Sequence, residues 1–229
     1  MESWSCLREG VSALARRFSL LVGAWLVIYA IQRLLLVAVP DEYMLVRTLL
    51  EAIVLAPLYA GQYLLALKVV RDEPVRFGEF LDGFARVWPV VGASLLVSVA
   101  VGAGLLLLVI PGLVWAITFA FSPILLVDRS LPAGRQLGAI ESLYESARLT
   151  KGHRWTLFGI AFLLSIPTLI YTALAYLSVY YPDLITLPQW AIELFLLFGG
   201  FLFVGPLYAT SFMVVYDRVT RRVLDEPIG

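Results

Sequence analysis

Residues 18–39 read FSLLVGAWLVIYAIQRLLLVAV, and this stretch decides the fold class. A helix that crosses the hydrocarbon core of a bilayer needs about 20 largely apolar residues, which this stretch supplies. Its apolar residues follow one another without alternating, whereas the strands of a membrane barrel alternate apolar and polar positions. The stretch ends at Pro40-Asp41-Glu42, a polar, turn-forming stop. We therefore predict a membrane-spanning helix here.

Composition extends this conclusion to the whole chain. Of the 229 residues, 61% are apolar and 15% are charged, against about 25% charged in a soluble domain. Disorder is excluded, because it needs low hydrophobicity and high charge. One Cys and one His exclude a disulfide scaffold, a thiolate metal cluster and a multi-histidine metal site. The zero net charge gives no case for a nucleic-acid partner.

Six apolar stretches are predicted to span the membrane, which makes the chain an all-α polytopic protein with a single integral membrane domain over 1–229. Their approximate bounds are 18–39, 49–70, 89–110, 113–127, 155–180 and 190–215. We expect Pro111-Gly112 to form a tight turn between the third and fourth spans, because Pro fixes φ and Gly allows a reversed backbone. One unbroken helix over both would be roughly 58 Å long, about twice the hydrocarbon thickness.

Positive charge in short loops predicts the orientation of the spans. Of the 17 basic residues, 15 lie in the N-terminal segment, the loops after the second and fourth spans, and the C-terminal tail. The other two, Arg33 and Arg47, lie within or at the edge of spans. We therefore predict a multi-pass protein of the cytoplasmic (inner) membrane with both termini cytoplasmic.

A threefold internal repeat is predicted from similarity between the spans. Each odd-numbered span opens with an aromatic residue and a Gly four or five residues on: Phe18 and Gly23, Trp88 and Gly92, Trp155 and Gly159. Each even-numbered span holds a Pro, in Ala56-Pro57, Ser122-Pro123 and Gly205-Pro206. The repeats would cover about 1–74, 75–133 and 134–229, as three hairpins with pseudo-threefold symmetry. The alternative is that Gly and Pro are simply common in membrane helices.

A short amphipathic helix is predicted before each hairpin, and we call these three segments the elbows. A helix with an aromatic-rich face and a charged face lies in the headgroup plane. The apolar stripes are Trp4, Leu7, Val11, Leu14 and Phe18 in the first elbow, Phe77, Phe80, Leu81, Phe84 and Trp88 in the second, and Leu137, Ile140, Tyr144 and Ala147 in the third. Six basic residues near the elbows are predicted to contact lipid headgroups: Arg16, Arg17, Arg76, Arg86, Lys151 and Arg154.

Three segments carry a resemblance to a known family. They are Val109–Trp115 with its Ile-Pro-Gly, Ala139–Trp155 with its Ala, Ser, Lys-Gly and aromatic residues, and Val214–Arg218 with its Tyr-Asp-basic ending. The chain resembles the bacterial and archaeal glycerophosphoryl diester phosphodiesterase membrane-domain family, and its uncharacterised six-span relatives, over most of its length. The resemblance implies the six-span fold. We expect no phosphodiesterase activity, because residues 1–229 hold no such enzyme domain.

We predict no enzyme activity, no cofactor and no metal site. The sequence has no Walker loop, His-Glu-x-x-His or paired-Cys pattern. A nucleophilic triad needs a base beside the nucleophile, and the single histidine, His153, lies at the predicted cytoplasmic boundary. Cys6 lies near the stripe of the first elbow, where apolar surroundings favour an inert thiol.

Polar residues within the spans give one candidate site, because ionisable groups in hydrocarbon need a partner or water. Arg47 and Glu51 are four residues apart on one predicted helix and can pair. Arg33 lies about 24 Å along the first span, and Glu193 opens the sixth span at a similar depth. Together with Gln62 these four residues form the predicted outer polar cluster. It is either a site for a lipid headgroup or solute, or structural pairing and snorkelling at helix ends.

Two function classes remain. The first is a non-catalytic membrane protein that interacts with lipid or acts as a scaffold, with membrane lipids and a membrane or cytoplasmic protein as partners. The second is a small transporter or permease with a polar path between the hairpins, lined by Tyr59, Gly61, Gln62 and Tyr208. A cavity that reaches Gln62 would favour the transporter, and a solid bundle would favour the first class.

Overall fold

The computed structural model describes residues 3–129, 137–180, 188, 190 and 203–225. The helices are α1 (Ser3–Arg16), α2 (Phe18–Ala38), α3 (Met44–Val70), α4 (Val87–Leu107), α5 (Val109–Thr118), α6 (Ser122–Val127), α7 (Ala139–Thr150), α8 (Arg154–Tyr180) and α9 (Gly205–Asp225). A 3₁₀ turn, Asp41–Tyr43, precedes α3, and a 3₁₀ segment, Phe77–Arg86, precedes α4. No strand occurs in these ranges, so the predicted all-α class is confirmed for the described residues.

Four helical stretches are long and apolar enough to cross a membrane: Phe18–Ala38, Met44–Val70, Phe77–Leu107 and Val109–Val127. A fifth is added if α7 and α8, which meet at 95°, are counted as one bent span. Gly152 lies at this corner with φ +87°, a backbone conformation that glycine adopts without strain. The chain is therefore an integral membrane protein. Of the predicted sixth span, the described residues include Trp190 and 203–215.

Helix α3 lies at the centre of the bundle. Its most apolar stretch is 67% buried, against 22% for that of α2. It packs against α2, α4, α6, α9 and the 3₁₀ segment. Bulky apolar side chains of α2, such as Leu34 and Val37, are exposed instead. A helix that is apolar on its exposed face as well as its packed face suits a lipid environment.

The connection between α4 and α5 differs from the prediction. The chain reverses around the extended residue Leu108, and Pro111-Gly112 lies inside α5. Pro is tolerated there because the first amides of a helix have no intrahelical partner. Gly112 serves close packing, because a Cβ on it would lie 2.8 Å from the amide nitrogen of Leu105. The predicted turn at Pro111-Gly112 is therefore wrong.

The predicted fourth span, 113–127, is broken into α5 and α6 by a turn at 119–121. Pro123 cannot donate a backbone hydrogen bond, which favours a new helix start at this point. A hydroxyl of α7 occupies the break: Ser146 Oγ donates to the Thr118 carbonyl at 2.8 Å and accepts from the Phe121 amide at 3.1 Å. Helix α7 thereby satisfies buried backbone groups that the break frees.

The second elbow is a 3₁₀ helix, and its three-residue period sets its packed face. Phe80 and Gly83 share this face and are buried against α3. The backbones approach closely, because a Cβ on Gly83 would lie 1.9 Å from the carbonyl oxygen of Pro57. A Cβ on Gly61 would likewise lie 1.9 Å from the carbonyl oxygen of Phe80. Glycines at both positions therefore allow the elbow to lie against α3.

All three elbows turn small or hydroxyl-bearing residues inward, a face that the sequence analysis did not single out. Gly10 of α1 lies against Ser211 of α9, and Ser142 of α7 bonds to Ser122 of α6 at 2.9 Å between hydroxyl oxygens. Most bulky residues of the predicted stripes are exposed: Trp4, Val11, Phe18, Phe77, Leu81, Phe84, Trp88, Ile140 and Tyr144. Three stripe residues are buried instead: Leu14, Phe80 and Leu137.

Candidate functional site

Charged residues from three parts of the bundle meet in one cluster. Arg71 follows α3, Asp128 follows α6 and Asp217 lies in α9. The Arg71 guanidinium lies 2.7 Å from Asp217 (Nε–Oδ1) and 3.5 Å from Asp128 (Nη1–Oδ1). The Tyr216 hydroxyl donates to Asp128 Oδ2 at 3.0 Å, and Arg221 Nε lies 2.7 Å from Asp217 Oδ2. We call these five residues the charge cluster.

Burial makes the charge cluster a firm connection between the three helices. The Asp128 side chain is 3% exposed and that of Arg71 is 12% exposed. Burial by itself lowers the pKa of Arg71, but the hydrogen bond to Asp217 and the charges of both carboxylates outweigh it, so this pKa is raised. Arg71 therefore remains a cation, and its bonds to the two aspartates are charge-assisted.

The sequence analysis did not predict the charge cluster. It counted Arg71 among the basic residues of a loop and placed Asp217 in the Tyr-Asp-basic segment, without pairing either residue with Asp128. Arg71, Asp128 and Asp217 are the first charged residues after the second, fourth and sixth predicted spans. That shared position is the signal that could have paired them. Their signs, one positive and two negative, fit a single cluster in which Arg71 is shared.

Further ion pairs join the four segments that carry the basic residues. Each pair links two of these segments: Arg16 with Asp72 at 3.3 Å, Arg129 with Asp82 at 3.5 Å, and Arg218 with Glu9. Exposed pairs of this kind contribute little to stability, typically under about 1 kcal/mol. The ion pairs do establish which segments are close to one another. One end of the bundle holds α1, the loops after α3 and α6, and the end of α9.

The predicted outer polar cluster is dispersed among its described members. Arg33 is exposed, its Nε donates to the Tyr29 hydroxyl at 2.9 Å, and its guanidinium lies 5.1 Å from that ring centroid. Arg47 and Glu51 are half-buried one turn apart on α3, and no ion pair joins these two described side chains. Glu193 lies outside the described residues, so its pairing with Arg33 stays a prediction.

Gln62 serves to connect two helices. It is fully buried, and its Nε2 donates to the Leu21 carbonyl of α2 at 3.3 Å. Its neighbour Gly61 is covered by the backbone of Phe80. Neither residue lines the cavity described next. The cavity therefore does not reach Gln62, which the predicted polar path included.

A cavity of about 510 Å³ lies between α3, α4, α9 and the α5–α6 region, and we call it the cleft. Glu51 lines it towards the start of α3, and Tyr59 and Tyr63 line it further along. Tyr208 of α9 faces it from the opposite side. Two residues of the predicted path, Tyr59 and Tyr208, therefore border an open volume, together with Glu51.

The six predicted headgroup contacts fall into two sets. Four are exposed: Arg17, Arg76, Lys151 and Arg154. Arg16 is engaged within the protein, because it pairs with Asp72 and also donates to the Val69 carbonyl at 3.4 Å. Arg86 is engaged too, since it donates to the carbonyls of Leu126 at 3.1 Å and Leu137 at 2.8 Å. The exposed set is the one free to meet lipid.

Within the described ranges, no three His, Cys, Asp or Glu side chains are grouped so that they could hold a metal ion.

Comparison with protein-family models, with curated proteins and with solved structures finds no match to this chain. Its function has therefore to be inferred from its own residues.

Proposed function

We propose that this chain is a non-catalytic, lipid-interacting protein of the cytoplasmic membrane. The observation that carries the proposal is the division of each elbow into two faces. Small or hydroxyl-bearing residues such as Gly83 and Ser146 face the bundle together with Leu14, Phe80 and Leu137. The other bulky residues, such as Trp4, Phe84 and Tyr144, are exposed. An exposed aromatic face beside basic residues suits the boundary between headgroups and acyl chains.

The proposal has six spans and both termini in the cytoplasm. The charge pattern supports this orientation, because 15 of the 17 basic residues lie in four segments. The ion pairs support it independently, since they gather those four segments at one end of the bundle. Reporter fusions after Arg222 and within 183–186 test it. A cytoplasmic signal from the second fusion would contradict it.

The proposal also includes the threefold repeat. Helices α3, α6 and α9 are each the second helix of a predicted hairpin. Arg71, directly after α3, pairs with Asp128, directly after α6, and with Asp217 of α9. Each elbow also packs on the second helix of the preceding hairpin: Gly83 on α3, Ser142 on α6, and Gly10 on α9. Such a cyclic order is expected of three similar units in a ring. The resemblance to the phosphodiesterase membrane-domain family is part of this proposal.

Lipid retained through purification tests the lipid interaction. We expect the variant with Gln at the exposed positions Arg17, Arg76, Lys151 and Arg154 to retain several-fold less anionic phospholipid, because surface cations attract anionic headgroups. The matched control places Gln at Arg8, Arg129, Arg148 and Arg222, which changes the net charge equally and leaves the charge cluster intact. Native mass spectrometry would count the lipids. Equal losses from the two variants would contradict specific headgroup contact at the elbows.

A small transporter is the second candidate, and the cleft is the observation that favours it. Tyr59 and Tyr208 border an open volume, but Gln62 is engaged with Leu21 outside it. Solute uptake by proteoliposomes distinguishes the two candidates. A lipid-interacting protein without a path leaves uptake at the level of empty vesicles.

A further inference from the structure

The cleft is long. Along α3 it extends from Glu51 to Tyr63, which corresponds to ~18 Å of helix rise. Its volume of about 510 Å³ is within the range of roughly 300–1,000 Å³ that small-molecule sites occupy. A space of this length and volume fits one extended chain better than a compact solute.

The walls of the cleft are apolar over most of this length. Leu55 of α3, Val101 of α4 and Phe212 of α9 are among the side chains that form them. Hydroxyl groups lie at five of the lining positions: Tyr59, Tyr63, Ser94, Ser98 and Tyr208. Walls of this kind suit an alkyl chain, which gains contact with apolar side chains without leaving a polar group unpaired.

A charged side chain lines the cleft at one position among the described residues. Glu51 is the one charged residue among the described residues that line it. No described side chain forms an ion pair with its carboxylate, and the other described residues that line the cleft carry no charge. A carboxylate beside hydrocarbon needs a counter-charge, a polar partner or water. An organic cation would supply the charge and could also lie over tyrosine ring faces.

We propose that the cleft binds a single-chain amphiphile with an ammonium head, the head at Glu51 and the chain along α3 towards Tyr63. This site goes beyond the lipid contact proposed for the elbows, because it holds one ligand between α3, α4 and α9. Arg47 lies one turn before Glu51 and is not among the lining residues. Its positive charge opposes a bound cation, so its removal tightens binding.

Native mass spectrometry of the full chain in neutral maltoside micelles tests the site, with dodecyltrimethylammonium as the cationic probe and dodecanoate as the anionic one. We expect the cation to bind with one-to-one stoichiometry, and Glu51→Gln to weaken it about tenfold through loss of the charge partner. Glu42→Gln, the matched control, removes an acid from the connection before α3 and leaves affinity unchanged. Arg47→Gln increases affinity, and it serves as the test of charge should Glu51→Gln fail to fold.

A second pair of variants tests the location of the chain. Ser98→Phe fills the wall of the cleft on α4 and is expected to abolish binding. Ala103→Phe adds the same bulk to an exposed position of the same helix, outside the cleft, and keeps it. Dodecanoate binding as tightly as the cation, or unchanged affinity in both Glu51→Gln and Arg47→Gln, would overturn the proposal. The first result would identify the occupant as an ordinary lipid chain.

Discussion

The arginines at the two ends of the bundle differ in burial and in the number of helices that they contact. Arg71 is nearly buried and is shared by carboxylates from two other helices, Asp128 and Asp217. Arg33 is exposed, and its described contacts are with Tyr29, one turn away on its own helix. A buried charge bonded to several helices fixes their relative positions, whereas an exposed charge on one helix does not. The end at the charge cluster therefore holds the fold together, and the opposite end leaves room for the cleft beside Glu51.

Among the variants that test this difference between the two ends, Arg71→Ala is expected to lower the free energy of unfolding most. It leaves Asp128 and Asp217 without their shared cation in a buried setting, so the free energy of unfolding falls by about 3–5 kcal/mol. Unfolding in mixed detergent and denaturant measures the change. Arg76→Ala is the matched control, because Arg76 is an exposed arginine of the same loop. Equal stability of the two variants would mean that the cluster does not hold the helices.

Gly83→Ala tests the close packing at the same end. A Cβ at Gly83 would lie 1.9 Å from the Pro57 carbonyl oxygen, so the elbow has to move away from α3. Overpacking of this kind costs about 1–3 kcal/mol, measured by the same unfolding experiment. Gly78→Ala in the same 3₁₀ segment meets no atom within 4 Å and is the control. Two equally stable variants would rule out close contact between the second elbow and α3.

Ser146→Ala tests the hydrogen bonds at the α5–α6 break. The change leaves the Phe121 amide without its hydroxyl acceptor and removes a donor from the Thr118 carbonyl. A buried group left unpaired costs about 1–3 kcal/mol. Ser165→Ala is the control, since the Ser165 hydroxyl donates to a carbonyl of its own exposed helix face. Hydrogen exchange should show faster exchange at the Phe121 amide in Ser146→Ala alone, and unchanged exchange would contradict this role.

The smallest expected effect is at the opposite end of the bundle. Arg33→Ala and Glu193→Gln, combined in a double-mutant cycle, test the predicted pairing of these two residues. Because Arg33 is exposed, we expect a small coupling energy of about 0.2–1 kcal/mol. Strictly additive effects would argue against the pairing and would leave Arg33 as a snorkelling residue in contact with Tyr29.

The spans were the part of the fold most readily predicted from sequence. The predicted bounds 18–39 compare with α2 at Phe18–Ala38, and the predicted end of the second span at residue 70 coincides with that of α3. Continuous apolar runs and polar stops are local signals, so they predict such helices well. The reversal at Leu108 was missed because Pro is compatible with the first turn of a helix as well as with a tight turn.

The packed faces and the charge cluster were harder to predict. The sequence analysis of the elbows used their aromatic stripes. The buried face of α7 instead includes residues spaced four apart: Ser142, Ser146 and Thr150. Four-residue spacing of hydroxyl residues is itself a helix-face signal that could have predicted this. The charge cluster joins Arg71 to residues far along the chain, so it could be predicted only by comparing the first charged residue after each even-numbered span.

The central claim is that the elbows lie in the interface of the inner leaflet with their aromatic residues in lipid. Single-tryptophan variants that retain Trp4, Trp88 or Trp155, all strongly exposed in the structure, can be reconstituted with lipids brominated at different chain depths. We predict the strongest quenching of all three by the shallowest bromines, as expected for interfacial aromatic residues. Trp25, which is half-buried against Tyr59 and Gly205, is the control and should be quenched least. Emission from Trp4 and Trp88 that no brominated lipid quenches would contradict the account.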